Sequence, residues 1–194
     1  MRKIRSLVMG DMGEGANDKG FGLRIRPAGP GDEREMIGVY RSAYKGLEEY
    51  AYTEPMDIRR YIEWLRRGDP NGLMVAEING KIVGFAGVHL GWHDKKIGVT
   101  AELHELVVAE EWKRKGIGKA LMMAVLSYAR SHGYSHVSLW VGEGNTYAQR
   151  WYRRFGFVEL GRAYGWIRMA LSLDMTSGTC YNRETERVMK GCEG

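Results

Sequence analysis

One short stretch of the sequence combines residue types that together bind anions: WKRKGIGKAL, at positions 112–121. Cations crowd around Gly116 and Gly118, and an apolar run of helical spacing starts directly afterwards. The first backbone N–H groups of a helix have no internal partner and lie at the positive end of its dipole. Glycines there let a phosphate approach closely. The stretch therefore predicts a phosphate-binding turn formed by Lys113, Arg114, Lys115, Gly116, Ile117, Gly118 and Lys119.

Two common phosphate-binding motifs do not fit this turn. A Walker-type loop needs glycine where the chain has Lys113, and Ser or Thr where it has Ala120. The dinucleotide fingerprint needs a third glycine where Leu121 stands. A solvated basic helix entrance is the remaining alternative, and two glycines behind an apolar run favour anion binding over it.

The segment before the turn carries three side chains that can accept a proton, namely Glu102, His104 and Glu105. If the segment is a strand, alternation places Glu102 and His104 on one face with Leu106 and Val108, and Glu105 on the other. A β-bulge would reverse this parity. Each of the three could also simply face solvent, as charged residues in antiparallel strands usually do.

Hydrophobic periodicity predicts the elements that position these residues. A strand from Leu23 precedes a helix with Asp32 at its N-cap, and a second helix has Pro55 in its first turn. Asn79-Gly80 joins two apolar runs and is a strong hairpin signal. A loop over about 91–95 then leads to a third antiparallel strand.

The second half of the chain alternates helix and strand. A helix over about 116–132 is followed by a strand, His136 to Val141, which should pair in parallel with the strand before the helix. Asn145 caps a short helix on which Gln149 is expected to face outwards, and two strands close the sequence pattern. The predicted fold class is α/β: a mixed, mostly antiparallel sheet flanked by helices.

Length and composition indicate one globular domain. The chain has 194 residues and a formal net charge of +5, which permits an anionic partner without identifying it. We expect a single domain over residues 21–174, a flexible arm over 1–20 and a polar tail over 175–194. No run approaches the ~20 apolar residues that span a bilayer, and MRKIRSLVMG lacks the apolar core of a signal peptide. We therefore expect a cytoplasmic protein that does not enter a membrane.

Cysteine and histidine give no metal-site pattern. Cys180 and Cys192 are too few for a disulfide framework or a cysteine-based zinc site, and whether they pair is left open. His89, His93 and His104 have no carboxylate or cysteine at zinc-like spacing, so no metal is predicted.

Two longer stretches, ELHELVVAEEWKRKGIGKAL and LWVGEGNTYAQRWYRRFGF, resemble the GNAT superfamily of acetyl-CoA-dependent N-acetyltransferases. The family signature is Gln or Arg, two residues, Gly, any residue, then Gly or Ala. It matches Lys113 to Gly118, with lysine in the first slot, which keeps the charge but loses the planar fork of arginine. The predicted element order matches the family fold from about Leu23 to Leu173, and GLEEY with YIEWL resembles small archaeal members whose substrates are undefined.

The resemblance implies that acetyl-CoA is the co-substrate. The pantetheine arm would pair with the backbone before the turn, the pyrophosphate would rest on the turn, and Tyr152 would protonate the leaving thiol. From spacing alone Tyr152 reads as a core aromatic and Asn145 as a helix cap. Besides the turn, the coenzyme-binding residues implied are Leu106, Val107, Val108, Asn145, Ala148 and Tyr152.

The resemblance also implies a general base that takes a proton from the attacking amine. Family members carry it at positions matching Glu102 or His104, so we rank Glu102 first, His104 second and Glu105 third. The acceptor would be a primary amine of a small molecule or of a protein or peptide. We expect it between the loop 91–96 and the segment 44–53, whose acidic and aromatic side chains suit a cation. Those side chains are Tyr44, Glu48, Glu49, Tyr50 and Tyr52.

Two other functions stay open at this point. A non-catalytic acyl-CoA sensor would bind the coenzyme without turnover. A basic nucleic-acid-binding protein, using the turn together with Arg150, Arg153 and Arg154, is less favoured because no RNA-binding signature is present. The chain is expected to be a monomer or a homodimer.

Overall fold

The computed structural model describes residues 22–174 of the chain. The predicted arm over residues 1–20, the tail over 175–194, and both Cys180 and Cys192 lie outside the described residues. Within the described part, no helix is both long and apolar enough to cross a lipid bilayer.

Seven strands and four α-helices make up the described fold. The seven strands form one sheet, in which only the fourth and fifth strands along the chain pair in parallel. This architecture confirms the predicted mixed, mostly antiparallel α/β fold. The elements are β1 (Leu23–Pro27), α1 (Glu33–Ala43), α2 (Pro55–Gly68), β2 (Leu73–Ile78), β3 (Lys81–Asp94), β4 (Gly98–Val108), α3 (Ile117–Ser131), β5 (His136–Gly142), α4 (Thr146–Arg154), β6 (Val158–Ala163) and β7 (Trp166–Ser172), in sheet order β1-β2-β3-β4-β5-β7-β6.

The helices cover the two faces of the sheet with separate apolar clusters. One cluster joins α1 and α2 to side chains of β2, β3 and β4, including Phe85 and Val107. The other joins α3 and the inner side of α4 to the opposite face, including Leu103 and Val108. Below, these are called the α1–α2 face and the α3–α4 face. Side chains that alternate along one strand therefore enter different layers.

Sequence signals that span only a few residues predict the helix starts and the hairpin turn correctly. Asp32 stands at the N-cap of α1, and Pro55 is the first residue of α2, as predicted. Asn79 and Gly80 have φ values of 50° and 78°, the left-handed conformation that a two-residue hairpin turn requires.

The predicted loop over residues 91–95 is wrong, because β3 continues to Asp94 and β4 already starts at Gly98. Trp92 pairs with Thr100 across the extended hairpin. The turn is stabilised by the Asp94 carboxylate, which accepts a hydrogen bond from the backbone N–H of Lys96 at 2.7 Å. Pairing between strands therefore decides the structure here, over the loop signal of Gly91 and the polar run 93–96.

A β-bulge at His104 sets the orientation of the candidate bases. Gly87 pairs with Glu105 while Val88 pairs with Leu103, so His104 is the extra residue on β4. As a result Leu103 and Leu106 both pack on the α3–α4 face although three positions separate them. The simple alternation that grouped Glu102 with Leu106 and Val108 is therefore wrong, and Glu102 shares its face with Glu105.

Strands β4 and β5 stay together only briefly. They pair at Ala101 with Val137, Glu102 with Ser138 and Leu103 with Leu139. Beyond these three pairs the two strands diverge, so β4 has no strand partner on its β5 side from residue 104 onwards. A V-shaped gap opens through the sheet at this point.

Candidate active site

A cavity of about 660 Å³ occupies the gap between the diverging strands. Its walls include residues 103–108 of β4 and 140–142 of β5. The turn before α3, the first turns of α4 and the connection between α1 and α2 complete the lining. Most of the residues singled out in the sequence therefore meet around one space.

The turn before α3 has the geometry that the glycine pattern predicts. Gly116 takes φ 85° at the N-cap of α3, a conformation that side-chain-bearing residues avoid. A Cβ at Gly118 would lie 3.5 Å from the Trp151 ring, so any larger branched side chain would fill the space above the turn. The side chains of Arg114 and Lys119 line the cavity beside the two glycines.

The side chains of three other residues of the predicted turn have different surroundings. Lys113 lines the cavity, but its ammonium group is already paired with Glu110 at 2.5 Å. The Lys115 ammonium lies 4.4 Å from the centre of the Trp112 ring, and Lys115 does not line the cavity. Ile117 is buried in the α3–α4 core. Ile117 therefore has only its backbone available to a ligand.

Helix α4 presents three predicted residues to the cavity: Asn145, Ala148 and Tyr152. The Asn145 side chain accepts a hydrogen bond from the Ala148 N–H at 3.1 Å and so caps the helix. The prediction for Gln149 is wrong, because this residue is buried and its amide donates to the carbonyl oxygens of Gly142 and Glu143. Those two bonds satisfy carbonyl groups at the end of β5 and fix α4 against it.

Glu105 is a buried carboxylate in the cavity wall. Its Oε1 accepts hydrogen bonds of 3.1 Å from the Tyr44 hydroxyl and from the Leu106 N–H. Burial raises the pKa of Glu105 to about 7, although these bonds and the nearby Tyr61 hydroxyl partly oppose the shift. The carboxylate therefore exchanges a proton near neutral pH, which suits a general base.

Tyr152 also faces the cavity. Its ring packs against Trp151 and Phe157, with ring centres 5.2 and 5.6 Å away. Burial, followed by the charge of Glu105, raises the pKa of Tyr152 above its usual value, so the phenol stays protonated. Among the described residues its hydroxyl has no hydrogen-bond partner, which leaves its proton available to a ligand.

Glu102 lies outside the cavity lining, in a buried ion pair. Arg168 donates to Glu102 at 2.5 Å, to Ser138 at 3.0 Å and to Asp94 at 2.8 Å. Ser138 in turn donates to Glu102 at 2.5 Å. The network ties β3, β4, β5 and β7 together at the point where β4 and β5 separate, and both Glu102 oxygens are occupied by it.

His104 is a neutral side chain in an aromatic setting. Its ring lies 4.4 to 4.8 Å from the rings of Trp64, His89 and Trp92. Burial lowers the pKa of His104 to about 3, and His89 and Arg168 add to this effect. The imidazole therefore holds a proton poorly. Residues 22–174 contain no group of three or more His, Cys, Asp or Glu that could hold a metal ion.

The far wall of the cavity is aromatic, and only part of it was predicted. Tyr50 and Tyr52 line it, as the sequence suggested, but Glu48 does not, because its carboxylate caps the Gly46 N–H at 2.9 Å. The hairpin residues 91–96 are also absent from the lining, contrary to expectation. Two tryptophans that the sequence reasoning missed, Trp140 and Trp166, stand there instead.

Charges in the cavity are divided by sign. The cations Lys113, Arg114 and Lys119 come from the turn before α3. The carboxylates are Glu105 on β4 and Glu49 on the α1–α2 connection. This arrangement fits a ligand with phosphates at the turn and an ammonium group near the carboxylates.

Comparison with known proteins identifies the family of the chain. A model of the acetyltransferase (GNAT) family matches residues 36–157. A relative named "uncharacterized N-acetyltransferase" from Archaeoglobus fulgidus is 41% identical over 134 residues, which cover 67% of this chain and 89% of the relative. A second relative, also named an uncharacterized N-acetyltransferase, from Methanocaldococcus jannaschii is 36% identical over 146 residues, which cover 75% of this chain and 65% of that relative.

A solved structure gives the same picture of the fold. The crystal structure of a Pyrococcus horikoshii OT3 protein superposes with a TM-score of 0.71 at 33% sequence identity. The superposition covers 77% of this chain and 98% of that one.

Proposed function

Because the chain belongs to the GNAT family of acetyltransferases, which use acetyl-CoA, we propose that it acetylates a primary amine by direct attack while both substrates are bound. One observation carries the proposal: Glu105 and Tyr152 line the same cavity as the glycine turn. A proton acceptor, a proton donor and an anion-binding turn then surround a single reaction centre. In this reaction the coenzyme supplies an activated acetyl group as a thioester.

The coenzyme would be held mainly by backbone groups. The edge of β4 at residues 106–108 has no strand partner on its β5 side, so its outward backbone groups would pair with a chain-like ligand as an added strand does, while the Leu106 N–H stays bonded to Glu105. Gly116 and Gly118 leave the first N–H groups of α3 open to a pyrophosphate. Arg114 and Lys119 add positive charge beside them.

The remaining predicted coenzyme residues take smaller roles in this proposal. The ammonium group of Lys113 is ion-paired with Glu110, and Lys115 and Ile117 would bind the coenzyme only through their backbone groups. Asn145 holds the start of α4, which brings Ala148 to the cavity wall. These residues shape the channel more than they bind charge.

We assign the general base to Glu105 in place of Glu102. The burial-raised pKa of about 7 lets Glu105 take a proton from a bound ammonium group near neutral pH. Glu102 is committed to Arg168 and Ser138, and the pKa of His104, lowered to about 3, makes it a poor acceptor. The bulge at residue 104 is what turns Glu105 towards the cavity.

Tyr152 is proposed as the general acid. After Glu105 takes the first proton, the amine nitrogen forms a bond to the acetyl carbon, and the carbon–sulfur bond breaks. The sulfur leaves with the electron pair of that bond and receives the phenolic proton of Tyr152. The nitrogen loses its second proton as the amide forms, and this proton restores the phenol through solvent. Glu105 releases the first proton to solvent, which completes the cycle.

Acetyl transfer can be tested with purified protein, acetyl-CoA and a panel of primary amines (n-hexylamine, phenethylamine, spermidine and the peptide Phe-Ala-Ala), by measuring free thiol and the amide product together. Equal amounts of both are expected. Thiol release without amide, or coenzyme binding without turnover, would contradict the proposal and favour hydrolysis or an acyl-CoA sensor.

Coenzyme placement can be tested separately by titration calorimetry. Gly118→Val should weaken acetyl-CoA binding by at least about tenfold, because the branched side chain fills the space above the turn. Gly38→Val is the matched control, since it is a helical glycine with open space around its Cβ position. Unchanged affinity in a folded Gly118→Val protein would show that the pyrophosphate binds elsewhere.

A further inference from the structure

Three aromatic rings that the proposed reaction does not use stand together at the far wall of the cavity. Tyr50, Trp140 and Trp166 all line it, and they are called the aromatic corner here. The rings of Tyr50 and Trp166 lie 5.8 Å apart between centres at 77°, so they form two nearly perpendicular walls. Trp140 and Trp166 remain 45% and 37% exposed, which is high for such large apolar side chains.

The strand register explains how the corner forms. Trp140 pairs with Arg168, and Gly142 pairs with Trp166, so the two tryptophans are diagonal neighbours on one face of β5 and β7. Gly142 puts no side chain opposite Trp166, and the Tyr50 ring occupies that place. A Cβ at Gly142 would collide with the Tyr50 ring. Glycine at this position therefore lets the α1–α2 connection bring a third ring to the wall.

The corner lies on the side of the gap that holds the proposed base. On β5, Leu139 and Val141 pack on the α3–α4 face, so Trp140 between them faces the other way. Glu105 also faces away from the α3–α4 layer, because the bulge at His104 shifts the alternation. An acceptor whose amine reaches Glu105 thus has the aromatic corner beside it.

Two observations decide what chemistry the corner prefers. Arg168 lies 5.3 Å from the centre of the Trp140 ring, so this ring already interacts with one cation. The guanidinium group, itself paired with Glu102 and Asp94, already occupies part of the Trp140 ring, so a second cation has less of that ring to contact, whereas a neutral ring can stack on the exposed part. Perpendicular walls also favour a flat ring, which can stack on one wall and meet the other edge-on.

Two carboxylates in the cavity lining complement the aromatic corner, because they attract the ammonium group of an acceptor. Glu49 and Glu105 are the acidic groups in the cavity lining, and Glu49 directly precedes Tyr50. An ammonium group placed near these carboxylates would leave its carbon substituents directed at the aromatic corner.

Taking the proposed acetyl transfer as its basis, we propose that the acceptor is a primary amine that carries an aromatic ring close to the nitrogen. The ring binds in the aromatic corner, and the amine faces Glu105. A free arylalkylamine and the amino terminus of a peptide beginning with an aromatic residue share this chemistry.

Acceptor competition tests the inference. Values of kcat/KM are compared within two pairs of acceptors, phenethylamine against n-hexylamine and the peptide Phe-Ala-Ala against Leu-Ala-Ala, and spermidine serves as the cationic alternative. We expect a preference for the ring of roughly tenfold in one pair, from about 1.4 kcal/mol of ring contacts. The pair that shows it identifies the source of the ring.

Substitutions in the aromatic corner test whether it causes the preference for a ring-bearing acceptor. Trp166→Leu and Tyr50→Leu should each reduce the ring preference to about threefold or less, while acetyl-CoA binding by calorimetry stays normal. Tyr164→Leu is the control, because Tyr164 is fully exposed in the β6–β7 turn and does not line the cavity; its preference should match the wild type.

Equal kcat/KM values within both pairs, or spermidine as the best acceptor, would overturn the inference while leaving amine acetylation intact. A wild-type preference that both corner variants retain would also overturn it. Failure to acetylate any amine despite coenzyme binding would instead refute the proposed function on which the inference rests.

Discussion

Replacing Glu105 by glutamine should stabilise the protein at alkaline pH, because the substitution removes a carboxylate that burial makes costly to ionise. The pKa of Glu105 is raised from 4.5 to about 7, so the folded state binds this proton more tightly than the unfolded state does. The contribution of the carboxyl group to stability is therefore fully present below about pH 4.5 and is lost as the pH rises through about 7.

The size of the effect follows from the two pKa values. Each unit of difference is worth about 1.4 kcal/mol, so ionising the buried carboxyl group costs about 3 kcal/mol at pH 8 and under about 1 kcal/mol at pH 5. Glutamine keeps an oxygen that can accept the bonds from Tyr44 and from the Leu106 N–H. The stability gain should therefore appear at pH 8 and nearly vanish at pH 5.

Urea unfolding of wild-type protein and Glu105→Gln at the two pH values measures this difference. Glu63→Gln on the exposed side of α2 is the control, because it removes the same charge from solvent and should change stability by under about 0.5 kcal/mol at either pH. A Glu105→Gln protein that is destabilised equally at both pH values would refute the reasoning, since the ionisation of Glu105 would then have no effect on stability.

Two further predictions concern the neighbouring residues. Tyr152→Phe should slow acetyl transfer by at least about tenfold while acetyl-CoA affinity stays unchanged, and an unaltered kcat would remove the phenol from the mechanism. Glu102→Gln should lower the free energy of unfolding by roughly 3 kcal/mol, because Arg168 loses the carboxylate nearest to it. In the same variant the pH midpoint of activity should stay near 7; a shifted midpoint would indicate that Glu102 takes part in proton transfer.

The sequence predicts well the features that short stretches of chain determine by themselves. The Asn79-Gly80 turn needs only two residues with positive φ, and helices α1 and α2 need only helical spacing of apolar residues and a start signal. The glycine turn before α3 is of the same kind, since its φ value and its position at the helix start depend on local sequence.

The identity of the candidate base could not be read from alternation, because it depends on pairing with a distant strand. The extra residue at His104 is defined only by the match of Gly87 with Glu105 and of Val88 with Leu103. The two glutamates also differ in their partners. Glu102 is ion-paired with Arg168, which lies 66 positions away in the sequence. No local pattern contains that partner.

The aromatic corner was missed for a related reason. Trp140 faces away from Leu139 and Val141 in the structure, but nothing in the sequence of β5 indicates which side chains stand beside it. Trp166 arrives from β7, and Tyr50 arrives from the α1–α2 connection. Gly142, which makes room for Tyr50, reads in the sequence as an ordinary turn glycine.

The most direct test of the central claim is the pH dependence of kcat/KM for amine acetylation, from about pH 5.5 to 8.5, in wild-type protein and in Glu105→Gln. With Glu105 as base, the wild-type value should rise with unit slope up to about pH 7 and then level off, because the enzyme takes its proton from the bound ammonium form. Glu105→Gln should be slower and should keep rising across the whole range, since it depends on the free amine in solution. Identical profiles for the two proteins would contradict the account.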